Sequence, residues 1–183
     1  MNEIGQSAGK NLDWLAGFLE GDGSIILQKQ RMSGNRVIYS PAIKFSNTDA
    51  LIIEHCQQIL NENNIGSFIH AKQTTNGVAF DLTVKGFKRV STLLPLISDR
   101  LFGKKRAIAI ILSRWLESRA STGNHKTYTE YEIYLAENIT KLHDPGYPQR
   151  LNARLRENAD EDIVRTVQRC VELSRNEIAK LII

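Results

Sequence analysis

The residues best suited to chemistry stand in one short run, Glu20-Gly21-Asp22-Gly23, at the end of the stretch "LDWLAGFLEGDG". Two carboxylates interleaved with glycines offer hard oxygen donors on a backbone that other groups can approach closely. The residues before them, rich in Leu, Ala and Phe, read as a helix, so the acids arrive at its C-terminal end. That end carries partial negative charge and favours cations, so acids placed there need another source of stabilisation. Leu12, Leu15, Phe18 and Leu19 face the helix's own core, while Gly17 and Gly21, four residues apart, stand one above the other on a stripe without side chains. Such a stripe admits a second helix backbone at close range. Two helices meeting there would bring two copies of Asp22 together, and carboxylates so gathered repel unless a cation neutralises them. A divalent ion such as Mg²⁺ accepts carboxylate and carbonyl oxygens, and the Gly21 carbonyl at the helix end has no intrahelical partner. The bland reading of the same run is an acidic turn between a helix and a hairpin, which Gly and Asp favour locally. A calcium EF-hand does not fit, because its alternating oxygen positions and terminal Glu are missing.

These groups need elements to hold them. A helix over about 11–20 leads to a strand over 24–32, a turn at "SGN", and a partner strand over 36–47. In that partner Tyr39, Pro41, Ile43 and Phe45 alternate with Ser40, Ala42, Lys44 and Ser46, giving a dry face and a wet one. Thr48 or Asp49 can cap a second helix, in which Ile52, Cys56, Ile59 and Leu60 form an apolar stripe. A second hairpin pairs 68–74 with 78–84 around Thr75-Asn76-Gly77. A third helix follows from Phe87, and Pro95 should kink or shorten it. Further helices are expected over about 104–119, 129–143 and 160–182; the second opens on a capping box, Thr129-Glu130-Tyr131-Glu132. The order αββαββα predicts an α+β fold: a four-stranded antiparallel sheet with helices on one face, plus C-terminal helices. At 183 residues this reads as a single domain, with a core over about 11–100 and C-terminal helices over about 104–183. The uncovered sheet face is left with Gln28, Gln30, Lys44, His70, Lys72, Asp81 and Thr83.

Composition narrows the class. Lys plus Arg exceed Asp plus Glu by 24 to 20, giving net +4 and a pI near 9.1, a mild preference for polyanionic partners. Cys56 and Cys170 form no metal-ligand cluster and read as small core residues of a reducing compartment. With no apolar signal core and no membrane-length apolar run, the expectation is a soluble, intracellular protein.

"LAGFLEGDG", residues 15–23, resembles the LAGLIDADG motif of homing endonucleases. Leu15, Ala16, Gly17, Asp22 and Gly23 match its eponymous letters, and Glu20 replaces one acid by another. The element order resembles the family's single-motif, homodimeric branch, and the absence of a second copy of the motif fits two chains rather than one pseudo-symmetric monomer. The resemblance implies that Asp22 is the metal-binding acid, that Gly21 lends its carbonyl, and that Glu20 supports helix packing. It implies a saddle-shaped sheet over the major groove of double-stranded DNA. Gln28, Gln30, Lys44, His70 and Lys72 are then candidates for base edges, with Ser40, Ser46, Asp81 and Thr83 adding weaker or negative selection. Arg150, Arg154 and Arg156 would grip phosphates, or else form a solvated charged face. Asp49 matches a polar residue near the metal, although a plain helix cap is the favoured reading of it. Lys104, with Lys105 competing, matches a basic residue at the helix after the core. Where some relatives carry an arginine beyond the Asp49 position, this chain has Ile52 and Ile53. Among the histidines, His55 reads as exposed helix surface, and His125 and His143 fall in loop or helix-end contexts.

The activity implied is site-specific hydrolysis of both strands of a long, near-palindromic target, dependent on Mg²⁺ or another divalent ion such as Mn²⁺ or Ca²⁺, by an intron-encoded homodimer. The rival readings are a non-cleaving binder of the same fold, either an RNA maturase or a DNA-binding regulator, and a mere dimerisation module. The Gln and Lys residues on the strands also have a plain alternative, the solvated side of a half-covered sheet.

Overall fold

The computed structural model describes residues 3–75, 77–122 and 127–143, with side chains from residue 11 onward except that of residue 35. The chain divides into two compact units, Met1–Leu101 and Phe102–Ile183. The expected helix over 160–182 lies outside the described residues, as do His125, Arg150, Arg154, Arg156 and Cys170.

In the first unit, helix α1 (Glu3–Asp22) passes directly into strand β1 (Gly23–Arg31). A single 3₁₀ turn, Ser33–Asn35, joins β1 to β2 (Val37–Asn47); helix α2 (Ala50–Glu62), strands β3 (Phe68–Thr74) and β4 (Gly77–Lys85), and helix α3 (Phe87–Ile97) follow. The four strands form one antiparallel sheet in the order β1-β2-β4-β3, as the two-hairpin reading requires. Helices α1, α2 and α3 all pack against its strands. The covered face holds Ile25, Leu27, Ile43, Phe45, Leu82 and Val84, all buried, against Leu15, Leu19, Ile53, Ile59, Leu60, Val90, Leu93 and Leu94 of the helices. Alternation therefore sorted the strands correctly: a dry face toward the helices and a wetter one away from them.

Four local features differ from the sequence reading. Helix α1 begins at Glu3 rather than near residue 11, because a polar segment such as "EIGQSAGK" shows no apolar period to read. No turn separates α1 from β1. Glycine at 23 explains this, since a Cβ there would lie 2.8 Å from the Leu19 Cα and 2.9 Å from the Leu19 carbonyl oxygen. In α2 the expected Cys56, Ile59 and Leu60 are buried, but the stripe begins at Ile53 rather than at Ile52, which is only half-buried. Pro95 does not end α3, which runs on to Ile97 and then tightens into a 3₁₀ turn, Ser98–Arg100.

Helix ends are locally specified. Asp49, not Thr48, caps α2, its carboxylate accepting from the Leu51 amide at 2.9 Å. At the other end Asn64 adopts φ +58°, and the Ile65 amide donates back to the Leu60 carbonyl at 2.8 Å, a left-handed cap of the kind Asn tolerates. The Cys56 thiol is pushed up to about 12 by burial, against a smaller opposing backbone hydrogen bond; it is an inert core group, as expected.

The second unit's described residues form α4 (Gly103–Thr122) and α5 (Glu130–His143), which pack together. The capping box is present: Thr129 Oγ1 accepts from the Glu132 amide at 3.1 Å, and the Glu132 carboxylate accepts from the Thr129 amide at 2.8 Å. Glu132 is fully buried, and Thr122 Oγ1 at 3.1 Å and Arg119 Nη1 at 3.5 Å supply the further donors that a buried carboxylate needs. Among the described residues no helix is long and apolar enough to cross a membrane.

Candidate functional site

Helix α1 presents two faces. Leu12, Leu15, Ala16 and Leu19 are buried in the core. On the other side Gly17 and Gly21 are exposed, and a Cβ on either would meet nothing within 4 Å. The stripe read from the Gly-x-x-x-Gly spacing is therefore a bare strip of helix backbone. Trp14, three residues before Gly17, is 41% exposed and lies beside it. Its ring stacks on Phe18 at 5.6 Å, Phe18 stacks on Phe45 at 6.2 Å, and His55 of α2 meets Trp14 edge-on at 4.7 Å. This ladder fixes α1 on the sheet and on α2, with each aromatic pair contributing about 0.5–1.5 kcal/mol beyond burial. Its only sequence signal was an aromatic spacing of four residues.

Asp22 is the last residue of α1 and is exposed; Gly21 precedes it, and since the helix stops at Asp22 the Gly21 carbonyl has no donor within the helix. Glu20 is half-buried and engaged within the fold, which suits the supporting role assigned to it. Asp49 carries the α2 cap, and its own amide donates to Asn47 Oδ1 at 2.9 Å; it is exposed. Lys104 is exposed in the first turn of α4, in the second unit, whereas Lys105 is half-buried and engaged.

Among the described residues no three His, Cys, Asp or Glu side chains gather. Each chain thus offers one open carboxylate and one helix-end carbonyl, both hard oxygen donors. That donor type fits Mg²⁺ or Ca²⁺, but the number is far short of the six or so oxygens such ions take. Asp22 and Gly21 therefore fit such an ion only as part of a site whose remaining donors would have to come from outside this pair.

The outer sheet face follows from the register. Gln28 pairs with Ser40 and Gln30 with Ile38 between β1 and β2. Lys44 pairs with Thr83 and Ser46 with Asp81 between β2 and β4; His70 pairs with Asp81 between β3 and β4. With Lys72 two residues beyond His70, every strand residue expected to face DNA stands on this one face. They are not equally available. Gln28, His70 and Lys72 are exposed, Gln30, Ser40, Lys44, Ser46 and Asp81 intermediate, and Thr83 only 5% exposed between its neighbours Lys44 and Phe68. Lys85, opposite Ala42 on the same face, was missed, although continuing the alternation from Asp81 and Thr83 would have found it. Arg31 and Arg36 are exposed on either side of the 3₁₀ turn.

Asp81 is held by its surroundings. Burial pushes its carboxyl up, but the Ser46 hydroxyl and the Lys72 and Lys44 ammonium groups outweigh this and hold it below the usual carboxylate range.

Comparison with solved structures finds the same fold in several known proteins. The chain is similar to I-CvuI, solved with the I-CreI target in the presence of Mg with the DNA not cleaved: TM-score 0.60, 18% identity, covering 84% of this chain and 99% of that one. It is similar to the archaeal intron-encoded homing endonuclease I-Vdi141I complexed with DNA, with TM-score 0.59 and 18% identity over 91% of this chain and 98% of that one. I-SmaMI bound to cleaved DNA matches with TM-score 0.56 and 12% identity over 88% of this chain but 48% of its own length. A search of the curated proteins finds no match. The model of the family described as LAGLIDADG endonuclease matches residues 15–112, more than half of the chain and including both the acidic glycine run and the sheet. The motif, the αββαββα sheet architecture and this match agree, and the chain belongs to the LAGLIDADG endonuclease family.

Proposed function

We propose that this chain is a homodimeric, divalent-cation-dependent, site-specific DNA endonuclease that cuts both strands of a near-palindromic target and is encoded within an intron. The observation that carries the proposal is the exposed Asp22 at the end of a helix whose Gly17 and Gly21 face is bare backbone. Two copies joined along that face place two Asp22 carboxylates at one seam.

Asp22 and the Gly21 carbonyl would hold the cation, which when bound supplies the positive charge that phosphodiester hydrolysis requires. The protein's own groups do the remainder. The outer face of β1, β2, β4 and β3 orients the duplex through Gln28, Gln30, Ser40, Lys44, Ser46, His70, Lys72, Asp81 and Thr83. Asp49, beyond its capping role, is the candidate for holding a proton, and Lys104 the candidate for offsetting charge on the phosphate. A dimer with two-fold symmetry reads two matching half-sites.

The test uses a target recovered by selection from a duplex library and inserted in a plasmid. With Mg²⁺ the wild-type protein is expected to linearise it, and Asp22→Asn to bind equally while cutting at least about a hundredfold more slowly, beyond the loss usual for changes around a metal's ligands. Bound but intact plasmid with the wild-type protein would instead indicate a non-cleaving binder, and salt-insensitive binding or none would indicate a dimerisation module.

A further inference from the structure

Three side chains from three different strands meet on the outer face. Asp81 of β4 stands opposite Ser46 of β2 and His70 of β3. Its Oδ1 accepts from Ser46 Oγ at 2.6 Å, and Lys72 Nζ of β3 donates to Oδ1 at 2.9 Å and to Oδ2 at 3.0 Å. The Asp81 side chain is 16% exposed and that of Lys72 45%, so the carboxylate is largely covered and the ammonium largely open. A lone surface lysine samples many rotamers; this one is fixed before any ligand arrives.

Counting donors and acceptors shows what the pair still offers. An ammonium has three N–H donors, and at most two are directed at Asp81, so at least one is left. A carboxylate has about four lone-pair sites, and three are taken here, which leaves one. One free donor beside one free acceptor, on a face that in the proposed function lies in the major groove, complements the edge of a G·C pair. Guanine presents O6 and N7 as adjacent acceptors on which one ammonium converges, and cytosine presents its N4 amine as a donor. Adenine instead puts its N6 donor where guanine has O6, which a lysine cannot use, and thymine O4 faces the carboxylate with a second acceptor.

We infer that Lys72 and Asp81 act as one reading unit for a single G·C base pair in each half-site, Lys72 contacting guanine while Asp81 fixes the lysine and accepts from the cytosine amine. This rests on the DNA-cleaving reading above. Asp81 is then more than negative selection against wrong bases: its charge, a repulsive element on a DNA-facing surface, is turned into orientation. Ser46 completes the arrangement by holding the carboxylate from the β2 side.

The test is a selection of bound duplexes from a randomised double-stranded DNA library, followed by binding measurements on the selected site with each base pair varied in turn. Wild-type protein is expected to prefer G·C at one position per half-site by about tenfold or more. Lys72→Met and Asp81→Asn should each abolish the preference at that same position and leave the others within about threefold, and the double variant should lose nothing further there, as expected for two residues that act as a unit. An Asp81→Asn protein whose affinity changes equally for all sequences overturns the inference, as do two variants that affect different positions. Thermal unfolding checks that both variants fold; if Asp81→Asn does not, retention of the preference by Lys72→Met overturns the inference by itself. A wild-type protein that selects no sequence overturns the endonuclease reading too, whereas strong selection that both variants keep overturns this inference alone.

Discussion

A Cβ placed on Gly23 would lie 2.8 Å from the Leu19 Cα, whereas one placed on Gly17 or Gly21 meets nothing within 4 Å. The chain's own packing thus requires glycine at 23 and leaves 17 and 21 unconstrained, so a need for glycine at those two positions would come from the proposed partner copy. Gly23→Ala should cost about 1–3 kcal/mol in denaturant unfolding, the usual penalty of overpacking a filled site. Gly17→Ala should leave the folded chain as stable or stabilise it by about 0.5–1 kcal/mol through lower backbone entropy in the helix, yet weaken self-association in sedimentation. The charge on Asp81 belongs to the same scale. Its folded carboxyl is held below the unfolded range, so the stabilisation is present above the unfolded pKa and lost as pH falls through the folded one. Asp81→Asn should therefore flatten the acid limb of the stability curve, by less than about 1 kcal/mol because its Lys72 partner is largely open to solvent. At this scale the sequence was readable where chemistry is carried by residue type: carboxylates, glycines four apart, polar residues on alternate strand positions. Gly23's contact with Leu19 and the meeting of Ser46, Lys72 and Asp81 were not, because both depend on how elements far apart in the chain are brought together.

Among the elements, α2 shows how one residue can have two readings. Asp49 accepts from the Leu51 amide and satisfies a donor that the helix start leaves unpaired. Asp49→Ala should cost about 1 kcal/mol in thermal or chemical unfolding, and Asp49→Asn, which caps equally well, should stay within a few tenths. If Asp49→Asn nonetheless slows DNA cleavage, the carboxylate has a chemical role besides the cap; unchanged cleavage leaves it the cap alone. Strand identities, pairing and facing were legible because a period of two, once Tyr39, Pro41, Ile43 and Phe45 are seen to alternate with Ser40, Ala42, Lys44 and Ser46, admits one register on a half-buried sheet. Helix bounds were less so. The start of α1 is polar, the stripe of α2 begins at Ile53 rather than at Ile52, and Pro95 sits near enough to the end of α3 that the helix completes its turn past it.

At the scale of the whole molecule the proposed function requires more ligands than one copy's described residues bring together. The described residues supply one open carboxylate and one carbonyl at the α1 terminus and no cluster of three metal-ligating side chains, while the strip beside them is bare. Under the proposed function, association of two copies would meet both needs at once, burying the strip and doubling the donors. Membership of the LAGLIDADG endonuclease family agrees with this, and the match over residues 15–112 includes every element that the proposed seam and DNA face require. The most direct measurement is plasmid cleavage by mixed dimers, in which one differently tagged copy is wild-type and the other carries Asp22→Asn, purified through both tags and given Mg²⁺ and the selected target. The expected result is that mixed dimers bind as tightly as the wild-type protein but fail to linearise the plasmid at its rate. Linear product at the full wild-type rate, or a monomer bound to fully cut DNA, would contradict a site built from two Asp22 side chains.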